Sequence, residues 1–179
     1  MTRRLRTLAL AAAFASVTLV PLFEAHAAVS SFLKLRSAKQ GEIEGSSLTK
    51  SHPNWIVVRG FSLSASMPTD AKSGLPTGRR MHKPFVITKE LDKSSPALHQ
   101  AFANNEVFEG FELTVVTPSP KGMDAVSTRV ELRNARIVAI ELDVSDSGAL
   151  VERVSFAFQT MTLTDVASKQ SAEVSWGPG

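Results

Sequence analysis

Apolar and polar residues alternate along much of this chain, and a period of two is typical of β-strands that bury one face. The segments that alternate lie at residues 32–35, 55–63, 85–91, 111–115, 126–142, 154–163 and 172–176. Such segments are rich in β-branched and aromatic residues and are bounded by turn-forming residues. The pattern therefore predicts seven or eight strands in an antiparallel arrangement.

Two of these segments lose their alternation partway along. Asn134 and Arg136 interrupt the apolar positions of residues 126–142, so we expect a bend or bulge there that leaves two strands. In residues 154–163 the apolar positions change parity, and an extra residue at 159–160 predicts a second bulge. Bulges of this kind bend strands and allow a sheet to curl.

Residues 94–105 form the mature segment whose spacing predicts a helix. Ser94 or Ser95 can accept hydrogen bonds from the free amides of a first turn, and Pro96 suits the first helical position. The apolar residues at helical spacing are Leu98, Ala101 and Phe102. Together, the elements predict a mainly β fold: a closed or nearly closed antiparallel β-barrel, or a curled two-sheet sandwich, with one short flanking α-helix.

The first 27 residues have the features of an export signal. Three arginines precede an uncharged apolar run at residues 7–20, and a small-x-small tripeptide ends at Ala27. We therefore predict cleavage between Ala27 and Ala28, export to the periplasm or the medium, and one folded domain at residues 28–179. The apolar run is shorter than the ~20 residues that cross a bilayer, which disfavours a membrane anchor, and no later segment reaches that length.

The net charge of the chain changes when the predicted signal segment is excluded. Three of the 20 Lys and Arg residues and Glu24 lie in that segment, so the remaining chain is close to neutral. A general nucleic-acid binder is therefore not expected. Local basic charge persists in residues 67–83, a long segment rich in proline and glycine, where four cations follow one another without an acid from Lys72 onward. This segment is interpreted either as a solvated loop or as a contact site for a partner.

Composition excludes several kinds of chemistry. The chain has no cysteine, which rules out disulfides, thiol nucleophiles and iron–sulfur clusters. His52, His82 and His99 show no metal-ligand spacing, so we expect no metal or cofactor and assign the three histidines surface or capping roles.

Two further patterns are considered as catalytic sites and set aside. Ser31 and Lys34 fit the S-x-x-K motif of penicillin-binding enzymes, but the motif lies in a predicted strand and lacks its partner motifs. The carboxylate pairs Glu42 with Glu44 and Glu109 with Glu112 are typical of solvated faces. We therefore assign no catalytic residue and do not expect an enzyme.

The central stretch SGLPTGRRMHKPFVITKELDKSSPAL, at residues 73–98, resembles the signature of the Hcp family, the haemolysin-coregulated proteins of type VI secretion. The order of features around it agrees with that family from residue 31 to residue 163. These features are a glycine turn at 41–45, strands at 52–58, 111–116 and 130–142, and the block VSFAF at 154–158.

The resemblance implies a β-barrel with one helix whose copies form hexameric rings. The rings stack into a tube that a contractile sheath propels, and the lumen carries small effector proteins. It also implies that the extended loop before the Lys-Pro-Phe-Val segment contacts a neighbouring ring or subunit. The residues predicted for this contact are Pro68, Lys72, Arg79, Arg80, His82 and Lys83.

Two features of this chain depart from the family pattern. Tube proteins assemble in the cytoplasm, whereas this chain begins with an export signal, and the residues after Phe158 form a different C-terminal block. Two functions therefore stay open. One is a ring-forming tube subunit that interacts with effectors and other secretion components, and the other is an exported binding module of the same fold without a tube role.

Overall fold

The structure is a computed structural model that describes residues 29–118 and 124–175. The expected signal segment, the cleavage position between Ala27 and Ala28, and Trp176 lie outside the described residues. The elements are β1 Ser30–Ser37, β2 Gly41–Ile43, β3 Ile56–Val58, β4 Gly60–Ser62, β5 Ala65–Ser66, β6 Met81–His82, β7 Phe85–Glu90, α1 Ser95–Ala103, β8 Phe108–Pro118, β9 Asp124–Arg133, β10 Arg136–Val144, β11 Leu150–Ala157, β12 Thr160–Asp165 and β13 Gln170–Ser175.

Two antiparallel sheets and a small hairpin contain all of these strands. The larger sheet has seven strands in the order β13-β12-β9-β8-β1-β2, with β3 also paired to β1. The smaller sheet has the order β10-β11-β7-β4, and β5 pairs with β6. The predicted mainly β, curled two-sheet barrel with one helix is confirmed. The predicted number of strands was too low, because several of the alternating segments are divided between the sheets.

The core lies between the two sheets and contains a cluster of phenylalanine rings. Phe111 of β8 lies 5.1 Å from Phe156 of β11 and 5.6 Å from Phe85 of β7, ring centroid to centroid, with edge-to-face geometry in both pairs. Edge-to-face packing of this kind stabilises aromatic pairs beyond the burial of their area. These contacts join the larger sheet to the smaller one.

The two interrupted segments mark places where the chain passes from one sheet to the other. β9 belongs to the larger sheet and β10 to the smaller one, and Asn134 between them has φ +52°. The passage from β11 to β12 likewise returns the chain to the larger sheet. The prediction of two strands in residues 126–142 is confirmed. The bend or bulge predicted at Asn134 and Arg136 is confirmed, since the chain turns at Asn134 and the pairing of β10 with β11 shifts register between Ile137 and Ala139. The bulge predicted at residues 159–160 was wrong, because the change of parity there comes from a change of sheet.

The helix begins and ends close to the predicted positions, but the predicted capping of its first turn by Ser94 is not observed. Ser94 occupies the N-cap position without a capping hydrogen bond from its side chain, and Asn104 is the C-cap. Leu98 and Ala101 are buried as expected, whereas Phe102 is exposed. The third buried residue of the helix is the polar Ser95. Within the described part of the chain, no helix is long and apolar enough to span a membrane.

His52 is a core residue, so its predicted surface role was wrong. Its ring stacks on Phe32 at 4.8 Å and meets the edge of Trp55 at 4.7 Å. Its Nε2 atom lies 3.2 Å from the hydroxyl of Thr114. Burial lowers the pKa of His52 below its usual 6.5, and the charge of Glu112 only partly offsets this effect. The neutral ring therefore acts as an aromatic packing group.

Candidate inter-subunit surface

Residues 63–84 form a hairpin arm that projects from the smaller sheet. The pairing of β4 with β7 continues into the pairing of β5 with β6, and the amide of Lys83 donates to the carbonyl of Ser64 at 2.9 Å. The predicted irregular loop at residues 67–83 is therefore in large part a β-hairpin. Main-chain hydrogen bonds between its two sides order it.

The tip of the arm is closed by its own backbone and by Asp70. Thr69 and Pro76 form an isolated antiparallel bridge. The carboxylate of Asp70 accepts hydrogen bonds from the amides of Ser73 and Lys72 at 2.7 and 3.0 Å, and those bonds hold its pKa below the usual value. Asp70 is thus committed to the turn, and residues 63–84 contain no other acid.

The six residues predicted for a subunit contact are all on this arm. Lys72, Arg79, Arg80 and Lys83 are exposed, and none of the salt bridges among residues 29–118 and 124–175 involves them. Pro68 and His82 are half-buried within the hairpin. Pro68 packs beside Gly78, where an added Cβ would lie 3.2 Å from its ring. The prolyl ring is therefore part of the packing of the arm.

The arm also carries apolar side chains that the sequence reasoning missed. They are exposed to solvent and comprise Leu63, Met67, Leu75 and Met81. Leu75 at the tip is 65% exposed, which is a large value for a leucine. Their residue types were an indication, since leucine and methionine are unusual in a solvated basic loop. Residue type alone, however, does not show which side chains of a hairpin are exposed. Apolar and basic groups together are typical of a contact surface.

The signature stretch after the arm builds a buried ionic cluster. The ammonium of Lys89 on β7 lies 2.9 Å from carboxylate oxygens of both Asp92 and Glu152. The hydroxyl of Ser95 donates to Glu152 at 2.6 Å, and the ring of His99 lies 3.0 Å from the other oxygen of Glu152. His99 thus has a defined partner at the rim of this cluster. The cluster ties β7, the start of α1 and β11 together.

Electrostatics keep this cluster charged. Burial raises the pKa of Glu152, but hydrogen bonds from Ser95 and Lys89 and the charge of Lys89 outweigh it, so that the pKa lies below its usual value. For Asp92 the same balance holds, with hydrogen bonds from Ser94 and Lys89 against burial. The role of the signature residues Lys89, Asp92 and Ser95 is therefore to hold the fold, and the arm is left as the accessible part of that region.

The other candidate chemical groups do not assemble into a site. Ser31 is buried in β1, whereas Lys34, three residues on, is exposed and lies 3.8 Å from Glu42. Residues three apart on a strand point to opposite faces, so Lys34 cannot activate Ser31. The carboxylates of the two pairs bind separate cations: Glu42 with Lys34, Glu44 with Lys93, Glu109 with Arg36, and Glu112 with Arg129. Among the described residues, no group of three or more His, Asp or Glu side chains is placed to hold a metal ion.

Comparison with known proteins identifies relatives of the whole domain. Residues 32–164 match the sequence model of the family described as "Type VI secretion system effector, Hcp". The "Major exported protein" of Pseudomonas aeruginosa is 30% identical over 165 residues, which are 83% of this chain and 96% of that protein.

Solved structures give the same result. A structure described as "Crystal structure of Hcp protein" has a TM-score of 0.78 at 25% identity, and the match covers 85% of this chain and 100% of that one. The Hcp1 protein from E. coli EAEC 042 pathovar has a TM-score of 0.77 at 25% identity, over 84% of this chain and 100% of its own. The secreted protein Hcp3 from Pseudomonas aeruginosa has a TM-score of 0.72 at 26% identity, over 84% and 100% of the two chains.

Proposed function

The chain belongs to the Hcp family of type VI secretion proteins, and from this membership we propose that it is a structural subunit of a secretion tube. Copies of the chain form hexameric rings, and the rings stack into a tube for effector delivery. The observation that carries this function is the family match over residues 32–164 together with the same fold in the solved Hcp structures. The protein is a structural component and not an enzyme.

The arm is proposed as the part of the subunit that contacts a neighbouring copy. Its four exposed cations form no salt bridge with another described residue, and its leucine and methionine side chains are exposed. Both observations support this role, since a partner that covers these groups adds apolar burial and charge pairing. Its backbone is already hydrogen-bonded as a hairpin, so little conformational freedom is lost on binding. An arm that is already ordered favours a contact that is repeated between identical copies.

Residues 1–27 are proposed to be an export signal that is removed between Ala27 and Ala28. The arginine-rich start, the apolar run at residues 7–20 and the small residue at Ala27 support this assignment. The relative in Pseudomonas aeruginosa is named a major exported protein, which agrees with export of this chain. Mass spectrometry of the exported protein should find an N-terminal peptide that begins at Ala28. An exported protein that retains Met1 or Thr2 would contradict the assignment.

The tube function is tested by the mass of the protein in solution. Light scattering on a size-exclusion column should give a mass close to six protomers at micromolar concentration, and electron microscopy should show rings. A heterologous interface, in which two different patches meet, is required for such a ring to close. A protein that stays monomeric at high concentration would contradict the tube role and favour an exported binding module of the same fold.

A further inference from the structure

Two hollows meet at the base of the arm, where β10 begins and β11 ends. The first has a volume of about 300 Å³ and is lined by residues 82–84 together with Ala157 and Phe158. The second has a volume of about 440 Å³ and contains the same Ala157 and Phe158. The two hollows therefore form one groove, which we call the basal groove. The residues that complete its second half are Asn105, Asn134, Arg136, Val138 and Gln159.

The strand order of the smaller sheet explains why these residues meet. β11 lies between β10 and β7. Arg136, the first residue of β10, pairs with Ala157 of β11, and Phe85, the first residue of β7, pairs with Phe156. The segment 82–84, which precedes Phe85, therefore reaches the same end of the sheet as Ala157. The basal groove thus crosses three neighbouring strands at one end of the sheet.

The floor of the basal groove is apolar and is held in place by the core. Phe158 is half-buried and packs against the hydrophobic core. Val138 is 47% exposed, and the pairing of β10 with β11 shifts register between Ile137 and Ala139, so that Val138 lies outside the ladder. Apolar groups in such a fixed and open position favour a partner side chain that covers them.

Basic side chains lie at the two ends of this floor. Arg136 and Lys83 are exposed, and the salt bridges among residues 29–118 and 124–175 include neither of them. The hydrogen bond that the Arg136 guanidinium donates to the Asn105 side-chain oxygen is long, at 3.5 Å. The residues that line the two hollows include no aspartate or glutamate. Glu106, next to Asn105 in the chain, is buried and hydrogen-bonded to Ser37. The basal groove is therefore positively charged.

Shape and charge together indicate the chemistry of a partner. Most of the lining residues are exposed, so the groove is open along its length and suits an extended chain better than an enclosed small molecule. Neighbouring strands lie about 4.8 Å apart, which places the Lys83 and Arg136 ends of the groove about 10 Å from each other. An extended peptide advances about 3.3 Å per residue, so roughly three residues cover this distance. Carboxylates are the groups that a guanidinium binds with two parallel hydrogen bonds.

We infer that the basal groove binds an extended acidic segment of a partner protein. One carboxylate of the segment binds Arg136, a second binds Lys83, and apolar side chains between them cover Val138 and Phe158. The inference goes beyond the tube role, because it assigns a binding site to each single copy of the chain and requires no neighbouring copy.

Isothermal titration calorimetry with a synthetic tetrapeptide tests this inference on the wild-type protein. The probe is acetylated at its start and amidated at its end, and it has glutamate at both ends with two leucines between them. It should bind each copy of the chain once. The same peptide with glutamine at both ends should bind about tenfold more weakly, because it cannot form the charge-assisted hydrogen bonds. Equal binding of the two peptides would overturn the inference.

Substitutions in the basal groove locate the binding site. Arg136→Gln should weaken binding of the acidic peptide about tenfold, whereas Arg36→Gln, at an exposed arginine of β1 outside the groove, should not change it. Val138→Glu places a carboxylate on the floor and should repel the peptide. Its control is Leu163→Glu on β12, at a leucine of similar exposure, 43%. If Arg136→Gln and Val138→Glu both bind the peptide like the wild type, the basal groove is not the site.

The cations farther along the arm provide the alternative binding site. Arg79→Gln/Arg80→Gln removes two exposed charges that do not line the basal groove, so the affinity for the acidic peptide should stay the same. A larger loss in this double variant than in Arg136→Gln would place the peptide on the arm and overturn the inference. Binding of single-stranded RNA or of anionic vesicles that depends on Arg136, without binding of the peptide, would also overturn it.

The solution mass of the wild-type protein separates this inference from the proposed function. Hexamers that do not bind the acidic peptide would retain the tube role and remove only the basal groove as a peptide site. A monomer that binds the peptide through Arg136 would support the basal groove and contradict the tube role. Hexamers that bind the peptide through Arg136 would support both.

Discussion

The ammonium of Lys89 and the carboxylate of Glu152 lie 2.9 Å apart, and neither side chain has any exposure to solvent. β7 and β11 pair directly at these residues, so the ion pair forms across a ladder of main-chain hydrogen bonds. Ser95 adds hydrogen bonds to both partners, which brings the first turn of α1 into the same cluster. The charges are thus fixed where three elements meet.

Removing the lysine charge should destabilise the fold strongly. Lys89→Met leaves Glu152 and Asp92 buried without their cation, and loss of one partner of a buried ion pair costs about 3–5 kcal/mol. Chemical denaturation should show a fall of this size in the free energy of unfolding. The same change at an exposed pair, Arg59→Met opposite Glu90, serves as the control and should cost less than about 1 kcal/mol. Equal costs for the two variants would show that the Lys89 cluster does not hold the fold.

Stability should fall in acid, with the cluster as a main cause. The pKa of Glu152 lies below 4.5 and that of Asp92 below 3.8 in the folded protein, while the unfolded chain has the ordinary values. The unfolded state therefore binds protons first, so the stabilisation is present above about pH 4.5 and is lost as the pH falls through the lower folded values.

Denaturation at a series of pH values from 6 to 3 measures this dependence. Glu152→Gln keeps the size of the side chain and removes its titration, so its unfolding free energy should fall less steeply with acid than that of the wild type. If the two proteins show the same slope, the carboxylate of Glu152 does not titrate at a lowered pKa.

Gly45 should not tolerate any side chain. An added Cβ would lie 2.3 Å from the Cα of Ile56 and 2.5 Å from the carbonyl oxygen of Trp55, and these are backbone atoms that cannot move aside. Gly45→Ala should therefore cost about 3 kcal/mol or more in unfolding free energy. Gly60 in β4 has no atom within 4 Å of such a Cβ, so Gly60→Ala is the control and should be close to neutral. A stable Gly45→Ala protein would show that the turn is not held against β3.

Periodicity was sufficient to predict most strands, because β7 and β11, for example, keep alternate residues in the core. It failed where the chain changes sheet. A register break looks the same in sequence whether the strand bulges or crosses to the other sheet, since both add a residue to the alternation. At residues 159–160 only the pairing of β11 and β12 with different neighbours shows which of the two occurs.

The position of the arm could be predicted from the sequence, but its exposed apolar side chains could not. Local composition marked the basic arm, because proline, glycine and clustered cations lie close together in the sequence. The exposed apolar side chains of the arm, such as Leu75 and Met81, were missed because leucine and methionine are equally typical of core positions. Whether such leucines are covered is a property of the whole barrel, and single-sequence patterns do not contain it. His52 was misassigned because the packing of Phe32 and Trp55 around it is equally non-local.

Reversing the charge of the arm should weaken assembly without affecting folding. Arg79→Glu, Arg80→Glu and Lys83→Glu in one chain replace three exposed cations by anions, so a surface of the neighbouring copy that attracts the basic arm would then repel it. Light scattering should show smaller assemblies at a given concentration, whereas the unfolding free energy should change by less than about 0.5 kcal/mol per exposed substitution. The control is the triple variant Lys39→Glu/Lys50→Glu/Lys169→Glu, which makes the same change in net charge at exposed positions outside the arm. If both triple variants assemble like the wild type, the arm is not the contact surface. If both fail equally, net charge and not the arm determines assembly.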